Sequence, residues 1–280
     1  MFKIRIWAVA GLIFMGLLAI LVLAGCGPSE EEIQTLDQPS CEDIVFDSGD
    51  EPVAAVLCLP AGPQVDLPAV VFLHGTGAFE PPPPEIIPDI EAAMPYTIHR
   101  ELAEHGFVAL SILYFSRTPP PPEAFPANTF IGVPGEAFID AKPIWIETIE
   151  DGFSYIQSRP EVDPDRIGLV GYSLGASLAL DLDQDRNNHA ALISISGSTY
   201  LRNENLAAGD SPTLILQAEA DEWVEMSDAL LIKDYLETNG IEHELVVIPG
   251  ADHRWIDQPG EEGFDAIEEF LESNLNPSGP

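Results

Sequence analysis

Short, wholly apolar runs alternate along this chain with segments whose apolar residues recur every three or four positions. Ala69 to Leu73 (Ala-Val-Val-Phe-Leu) is the first such run. A strand with no polar face must be covered on both sides, which marks a buried parallel strand. Phe107–Leu113, Arg166–Gly171, Ala190–Ile195, Thr213–Ala218 and Glu244–Ile248 read the same way. Between them the pattern predicts helices at roughly 96–105, stopped by Gly106, at Ile144–Ser158, ended by a Pro160–Asp165 turn, and at Leu174–Asp183. From Met226 to Asn239, Ala229, Ile232 and Leu236 form a helical stripe, with Gly240 placed to cap it. Phe264, Ile267 and Leu271 mark a last helix. Strand and helix in alternation predict an α/β fold with a mostly parallel sheet and helices on both faces. No internal repeat and no second domain boundary interrupts it.

Ahead of this rhythm, residues 41–47 and 52–59 read as the two strands of an N-terminal β-hairpin. Pairing about Gly49-Asp50 sets Cys41 opposite Cys58, a cross-strand placement that a disulfide can use. The alternative is a pair of buried free thiols. Two proline-rich segments, 79–95 and 116–143, follow the carboxyl ends of predicted parallel strands. That edge of an open α/β sheet is where ligands sit. These segments are expected either to wall a substrate pocket or to form plain surface loops.

The first 25 residues have a different character. Lys3 and Arg5 precede an uninterrupted apolar run from Ala8 to Gly25, which ends in Leu23-Ala24-Gly25-Cys26. This resembles a bacterial lipoprotein signal peptide with its lipobox. The resemblance implies lipidation at Cys26, with 1–25 removed, 26–40 a polar tether and 41–280 the folded domain. An uncleaved membrane helix is the alternative, since about 18 apolar residues can just span a bilayer. Either way the domain is expected outside the cytoplasm, held at a membrane.

Charge narrows the partners. The chain has 47 acidic and 11 basic residues, a net of −36. Nucleic acid is excluded, because phosphate binding needs clustered Lys and Arg. Self-repulsion of this size is most easily tolerated where salt screens it. A saline habitat or a merely soluble, acidic exported surface would both account for it. Nothing in the sequence specifies an oligomeric state.

The candidate chemistry lies in Gly171-Tyr172-Ser173-Leu174-Gly175. A strand precedes this G-x-S-x-G pattern and a helix follows it. A sharp turn there needs small residues at 171 and 175. It lifts the Ser173 hydroxyl clear of the sheet and places the Leu174 N–H at a helix start, facing developing negative charge. A serine nucleophile needs a base and an orienting carboxylate. His253 follows the strand ending near Ile248, and Asp221 follows Thr213–Ala218. Glu219, Glu222 and Asp252 are rival acids; the offset from the strand favours Asp221. His74-Gly75-Thr76-Gly77 follows the first buried strand. Thr76 N–H, with Gly75 as the close alternative, is the expected second oxyanion donor, and His74 is expected to be structural. Arg117 is either an anchor for a substrate carboxylate or an ion-pair residue. Phe79, Phe115, Phe125 and Phe130 are either pocket wall or core, with Phe115 a candidate substrate contact.

These stretches, with Leu102–Leu110 and Asp163–Gly175, resemble the dienelactone-hydrolase-like branch of the α/β hydrolases over nearly all of residues 69–271. The resemblance implies the α/β-hydrolase fold, an eight-stranded sheet, a Ser or Cys nucleophile and no metal or organic cofactor. Dienelactone hydrolase itself uses cysteine; Ser173 here points away from dienelactone and towards a small-molecule carboxyl ester. His105-Gly106-Phe107 through Tyr114-Phe115 also resembles bile-acid-type acyl-CoA thioesterases and acyltransferases, though export argues against CoA esters. A peptidase with the same triad, or a non-catalytic binding lipoprotein of the same fold, are the remaining alternatives.

Overall fold

The computed structural model describes residues 33–76, 97–119, 136–185, 189–198, 210–257 and 261–276. Among the described residues, ten strands and five α-helices follow in chain order: β1 (Thr35–Leu36), β2 (Ser40–Ser48), β3 (Glu51–Leu59), β4 (Gly62–Pro63), β5 (Leu67–Leu73), α1 (Ile98–Glu104), β6 (Val108–Ile112), α2 (Glu136–Gln157), β7 (Val162–Tyr172), α3 (Leu174–Asp185), β8 (Ala191–Ile195), β9 (Thr213–Ala218), α4 (Met226–Asn239), β10 (His243–Ile248) and α5 (Glu261–Leu275). Eight strands form one sheet in the order β10-β9-β8-β7-β5-β6-β3-β2. β6, β5, β7, β8, β9 and β10 pair in parallel, and the β2–β3 hairpin joins antiparallel at the β6 side.

Both faces of the sheet are covered at its centre, which is why β5, β6, β8 and β9 are buried along nearly their whole length, whereas the edge strands β2 and β10 keep exposed polar positions. On one face, Val71 and Leu73 of β5 belong to a continuous core that also holds Trp145 and Ile149 of α2, Leu178 of α3 and, further along the sheet, Ile232 of α4. On the other face, the intervening Val70 and Phe72 belong to a second core with Leu102 of α1 and Ile267 and Leu271 of α5. Each fully buried Val, Leu or Phe contributes roughly 1.5–3 kcal/mol. The hairpin register sets Cys41 directly opposite Cys58, and a disulfide joins them across a Cα–Cα distance of 4.0 Å. Gly240 closes α4 in the left-handed conformation, with φ of 72°.

Three elements differ from expectation. Helix α2 starts at Glu136, well before Ile144, and carries Pro143 inside it. An internal proline costs a helix about 3 kcal/mol. Here Phe138, Ala141 and Trp145, spaced to share one helical face, are all buried in the core, and their burial outweighs that cost. Strand β7 begins at Val162 and runs through the anticipated Asp163-Pro164-Asp165 turn. Its pairing with β5 shifts between Leu67↔Val162 and Ala69↔Ile167. The proline is thus taken up in an irregularity that needs no ladder donor from it. Finally, pairing begins upstream of Cys41. Thr35–Leu36 pairs with Gly62–Pro63, and the Gln64 N–H donates to the Gln34 carbonyl at 2.8 Å. Residues 1–32, which include the apolar run and Cys26, lie outside the described residues.

Candidate active site

Ser173 stands between β7 and α3 with φ of 54°. A non-glycine residue in this left-handed region costs about 1–3 kcal/mol and needs its surroundings to hold it there. The Ser173 N–H donates to the Ile195 carbonyl of β8 at 2.8 Å, and its own carbonyl accepts from Ser177 N–H at 3.1 Å. The flanking glycines have no room for a side chain. A Cβ at Gly171 would lie 2.4 Å from the Gly175 carbonyl oxygen, and one at Gly175 would lie 2.2 Å from the Leu73 carbonyl oxygen. Gly175→Ala is therefore expected to lower stability by about 3 kcal/mol, read as a lower melting temperature. Gly152→Ala meets side chains only, the Cδ1 end of Ile112 at 2.2 Å and the Phe46 ring at 3.3 Å, which can shift, so its loss should be smaller. Equal losses would show that β5 and α3 are not in close contact at Gly175.

The loops after β9 and β10 bring two side chains to Ser173. The Ser173 hydroxyl and His253 Nε2 are 3.0 Å apart, and His253 Nδ1 and Asp221 Oδ2 are 2.8 Å apart. With Nδ1–H donating to the carboxylate, Nε2 is left to accept the serine proton. Asp221 is buried, its side chain 1 % exposed. Burial alone would raise its pKa. Hydrogen bonds from His253 and the Val224 backbone N–H, together with the His253 charge and the Trp223 N–H, hold it below the usual carboxylate value. Those backbone donors reach Oδ1 at 2.8 Å (Val224) and 2.9 Å (Trp223). Two of the rival acids have other partners, Glu219 accepting from Gly250 N–H and Asp252 from Arg254 N–H, and Glu222 is exposed.

The loop after β5 passes against the same serine. A Cβ at Gly75 would lie 3.1 Å from Ser173 Cβ and 2.9 Å from the Tyr172 ring. Thr76, half-buried, is the last residue described before 97. Leu174 opens α3, so its N–H is among the helix-start donors without an intrahelical partner. His74 is buried, stacked on Tyr114 with ring centroids 4.2 Å apart, and bonded through Nδ1 to the Gly75 carbonyl at 2.8 Å. Burial lowers its pKa to about 4. It props the loop and carries no charge at neutral pH.

Two residues considered as substrate contacts are engaged elsewhere. Arg117 donates to Ser48 Oγ at 2.9 Å and Glu147 Oε2 at 2.7 Å. Its guanidinium therefore clamps the β2–β3 turn to α2, the ion-pair reading of that residue. Phe115, 1 % exposed, packs edge-on to His74 and against Trp145, a core position behind the 74–76 loop. Phe79, Phe125, Phe130, Gly77, Pro81–Pro84 and Pro120–Pro122 lie outside the described residues.

Sequence reasoning missed two aromatic residues. Tyr172, the first variable position of G-x-S-x-G, donates its hydroxyl to the His253 carbonyl at 2.8 Å. Trp223 stacks on the His253 ring at 5.4 Å between centroids and 17° between planes. Each neighbours a residue that had been singled out, yet nothing in the spacing says where its side chain turns.

A parallel sheet in this order, with a serine on a strained strand-to-helix turn and an acid and a histidine on later loops, defines an α/β hydrolase. The Dienelactone hydrolase family profile matches residues 53–271, and the chain belongs to that family. Mouse peroxisomal succinyl-coenzyme A thioesterase is 27% identical over 154 residues, 55% of this chain but 29% of that protein. Thus the chain spans under a third of that relative. Among solved structures, the dienelactone hydrolase-like promiscuous phosphotriesterase P91, from metagenomic libraries, superposes with a TM-score of 0.62 at 15% identity, covering 85% of this chain and 99% of P91. An esterase of Rhizomucor miehei gives 0.59 at 18%, covering 88% and 87%. At these identities the two structures speak for the fold.

Proposed function

We propose that this hydrolase is a serine carboxylesterase, and the observation that carries the reading is the hydrogen-bonded line Ser173–His253–Asp221. Ser173 Oγ attacks the ester carbonyl as His253 Nε2 takes its proton. The tetrahedral oxyanion is held by the N–H groups of Leu174 and of Thr76 or Gly75. His253 returns the proton to the departing alcohol, leaving an acyl-enzyme. Water, activated by the same imidazole, then releases the acid. Asp221 keeps the Nδ1–H tautomer and stabilises the imidazolium. A small, neutral ester suits a chain of net charge −36, which repels anionic substrates. The mouse relative's thioesterase name supports thioesters as a second substrate class. A fluorophosphonate probe should label the wild type and not Ser173→Ala. Absence of wild-type labelling, or equal labelling of both, would remove the serine mechanism.

Lys3, Arg5, the apolar run and Leu23-Ala24-Gly25-Cys26 support a lipid-anchored protein of the cell envelope, joined to the membrane through Cys26. Acyl chains hold at about 0.8 kcal/mol per buried methylene. Expressed in bacteria with radiolabelled palmitate, the full chain should carry label in the membrane fraction, and Cys26→Ala should carry none. Unlabelled wild-type protein would refute the anchor.

A further inference from the structure

The histidine expected to act as base is gripped by two aromatic rings. Trp223 stacks on it at 5.4 Å and 17°, and Tyr172 lies against it at 5.2 Å and 37°. The backbone that carries the indole is held by the acid itself. Asp221 Oδ2 meets His253 Nδ1, while Asp221 Oδ1 accepts the N–H groups of Trp223 and Val224. One carboxylate therefore holds both the imidazole and the backbone of the residue whose ring stacks on it. Trp223 is 46 % exposed, too open for its burial alone to account for its position over a ring that is itself 5 % exposed.

We infer that Trp223 is a positioning residue that, through its π-face, stabilises the imidazolium formed when His253 takes the Ser173 proton. An aromatic face attracts a cation within about 6 Å of its centroid, and the observed separation lies inside that range. Neutral imidazole gains little from the same contact, so the stabilisation is greater in the transition state than in the resting enzyme, which is the condition for raising kcat. The inference rests on the serine-hydrolase reading of this site. Among the described residues, the other titratable groups around the ring are few. Asp221 comes from the β9 loop and Tyr172 from β7. In its own loop are Asp252, which accepts the Arg254 N–H, and Arg254, paired with Asp257. Glu219 is turned to Gly250, and Glu222, beside Trp223, is exposed.

The test compares Trp223→Leu, which keeps apolar cover but loses the π-face, with Trp223→Phe, which keeps a π-face. The ascending limb of kcat/KM against pH reports the base. In Trp223→Leu it should move to lower pH by about half a unit, equivalent to a roughly threefold change, with kcat falling by a similar factor. In Trp223→Phe the limb should stay within about 0.2 of a unit of wild type. A limb that stays in place while the plateau falls would show a merely structural role and overturn the inference, as would a limb that moves up. Should Trp223→Leu not fold, wild-type indole fluorescence decides. Imidazolium quenches a stacked indole, so emission should step down with falling pH on the same limb, and His253→Gln should abolish the step. A step that persists in His253→Gln also overturns it. Fluorophosphonate labelling of each variant separates this outcome from failure of the serine mechanism.

Discussion

Ser173→Ala should lower kcat towards a p-nitrophenyl ester by about 10⁵–10⁶, and His253→Ala by nearly as much. The double variant should be no worse than either single one, because the serine is a nucleophile only while Nε2 takes its proton. The 3.0 Å contact between them makes the pair one working unit. Asp221→Asn should cost about 10⁴. An asparagine amide can still accept the Trp223 and Val224 N–H groups, so the loop keeps its shape. It can also present an N–H to Nδ1, favouring the tautomer whose Nε2 carries the proton and cannot accept one. Glu219→Gln and Asp252→Asn should leave kcat within a few-fold, since their contacts are to Gly250 and Arg254. Independent, multiplying losses in the double variant would remove Ser173 and His253 as a coupled pair. A large loss in Asp252→Asn would move the orienting acid.

The sheet and the three polar side chains could be read from sequence for the same reason. Apolar runs such as Ala69–Leu73 have one stable solution, burial on both faces, and the loops that follow them must then emerge at one edge. Ser173, Asp221 and His253 each stand just beyond such a run, so placing the strands nearly placed them. Gly171 and Gly175 were legible because backbone contact leaves no room for a Cβ at either position. Helix α2 was not, because a local rule against proline was outweighed by burial of Phe138, Ala141 and Trp145 at a distance in space. Nor could the fate of Arg117 be read from its neighbours. Its partners Ser48 and Glu147 are remote in sequence and meet only once the hairpin has docked on the sheet. Trp223 escaped for a related reason: its backbone is held by hydrogen bonds from its own N–H and that of Val224 to Asp221, whose position is itself a product of the fold.

Between pH 6.5 and 4 the folded protein should lose stability through two buried histidines outside the proton-transfer line. Burial lowers the pKa of His74 to about 4. Burial, with the neighbouring Arg100 charge, does the same for His99. Both are neutral when folded, whereas an unfolded chain protonates them near pH ~6.5. Their contribution is therefore complete above pH ~6.5 and is lost as pH falls towards 4, below which both states bind the proton and no more is lost. Each accounts for up to about 3 kcal/mol over that window. Asp221 acts lower: its depressed pKa stabilises the fold above about pH 4, and that contribution disappears only as pH drops through the folded value. Surface carboxylates work in the opposite direction, because neutralising some of the 47 acidic residues relieves repulsion. Total stability thus mixes two signs, and the difference between variant and parent isolates the histidines. His99→Gln, measured by urea unfolding, should gain on wild type by up to about 3 kcal/mol between pH 7 and pH 4. His74→Gln, whose amide can still donate to the Gly75 carbonyl, should behave alike. Parallel pH curves for variant and parent would show that neither histidine stays neutral in the folded protein. In that case the 74–76 loop beside Ser173 would carry a positive charge in mild acid, and the oxyanion there would gain a second source of stabilisation.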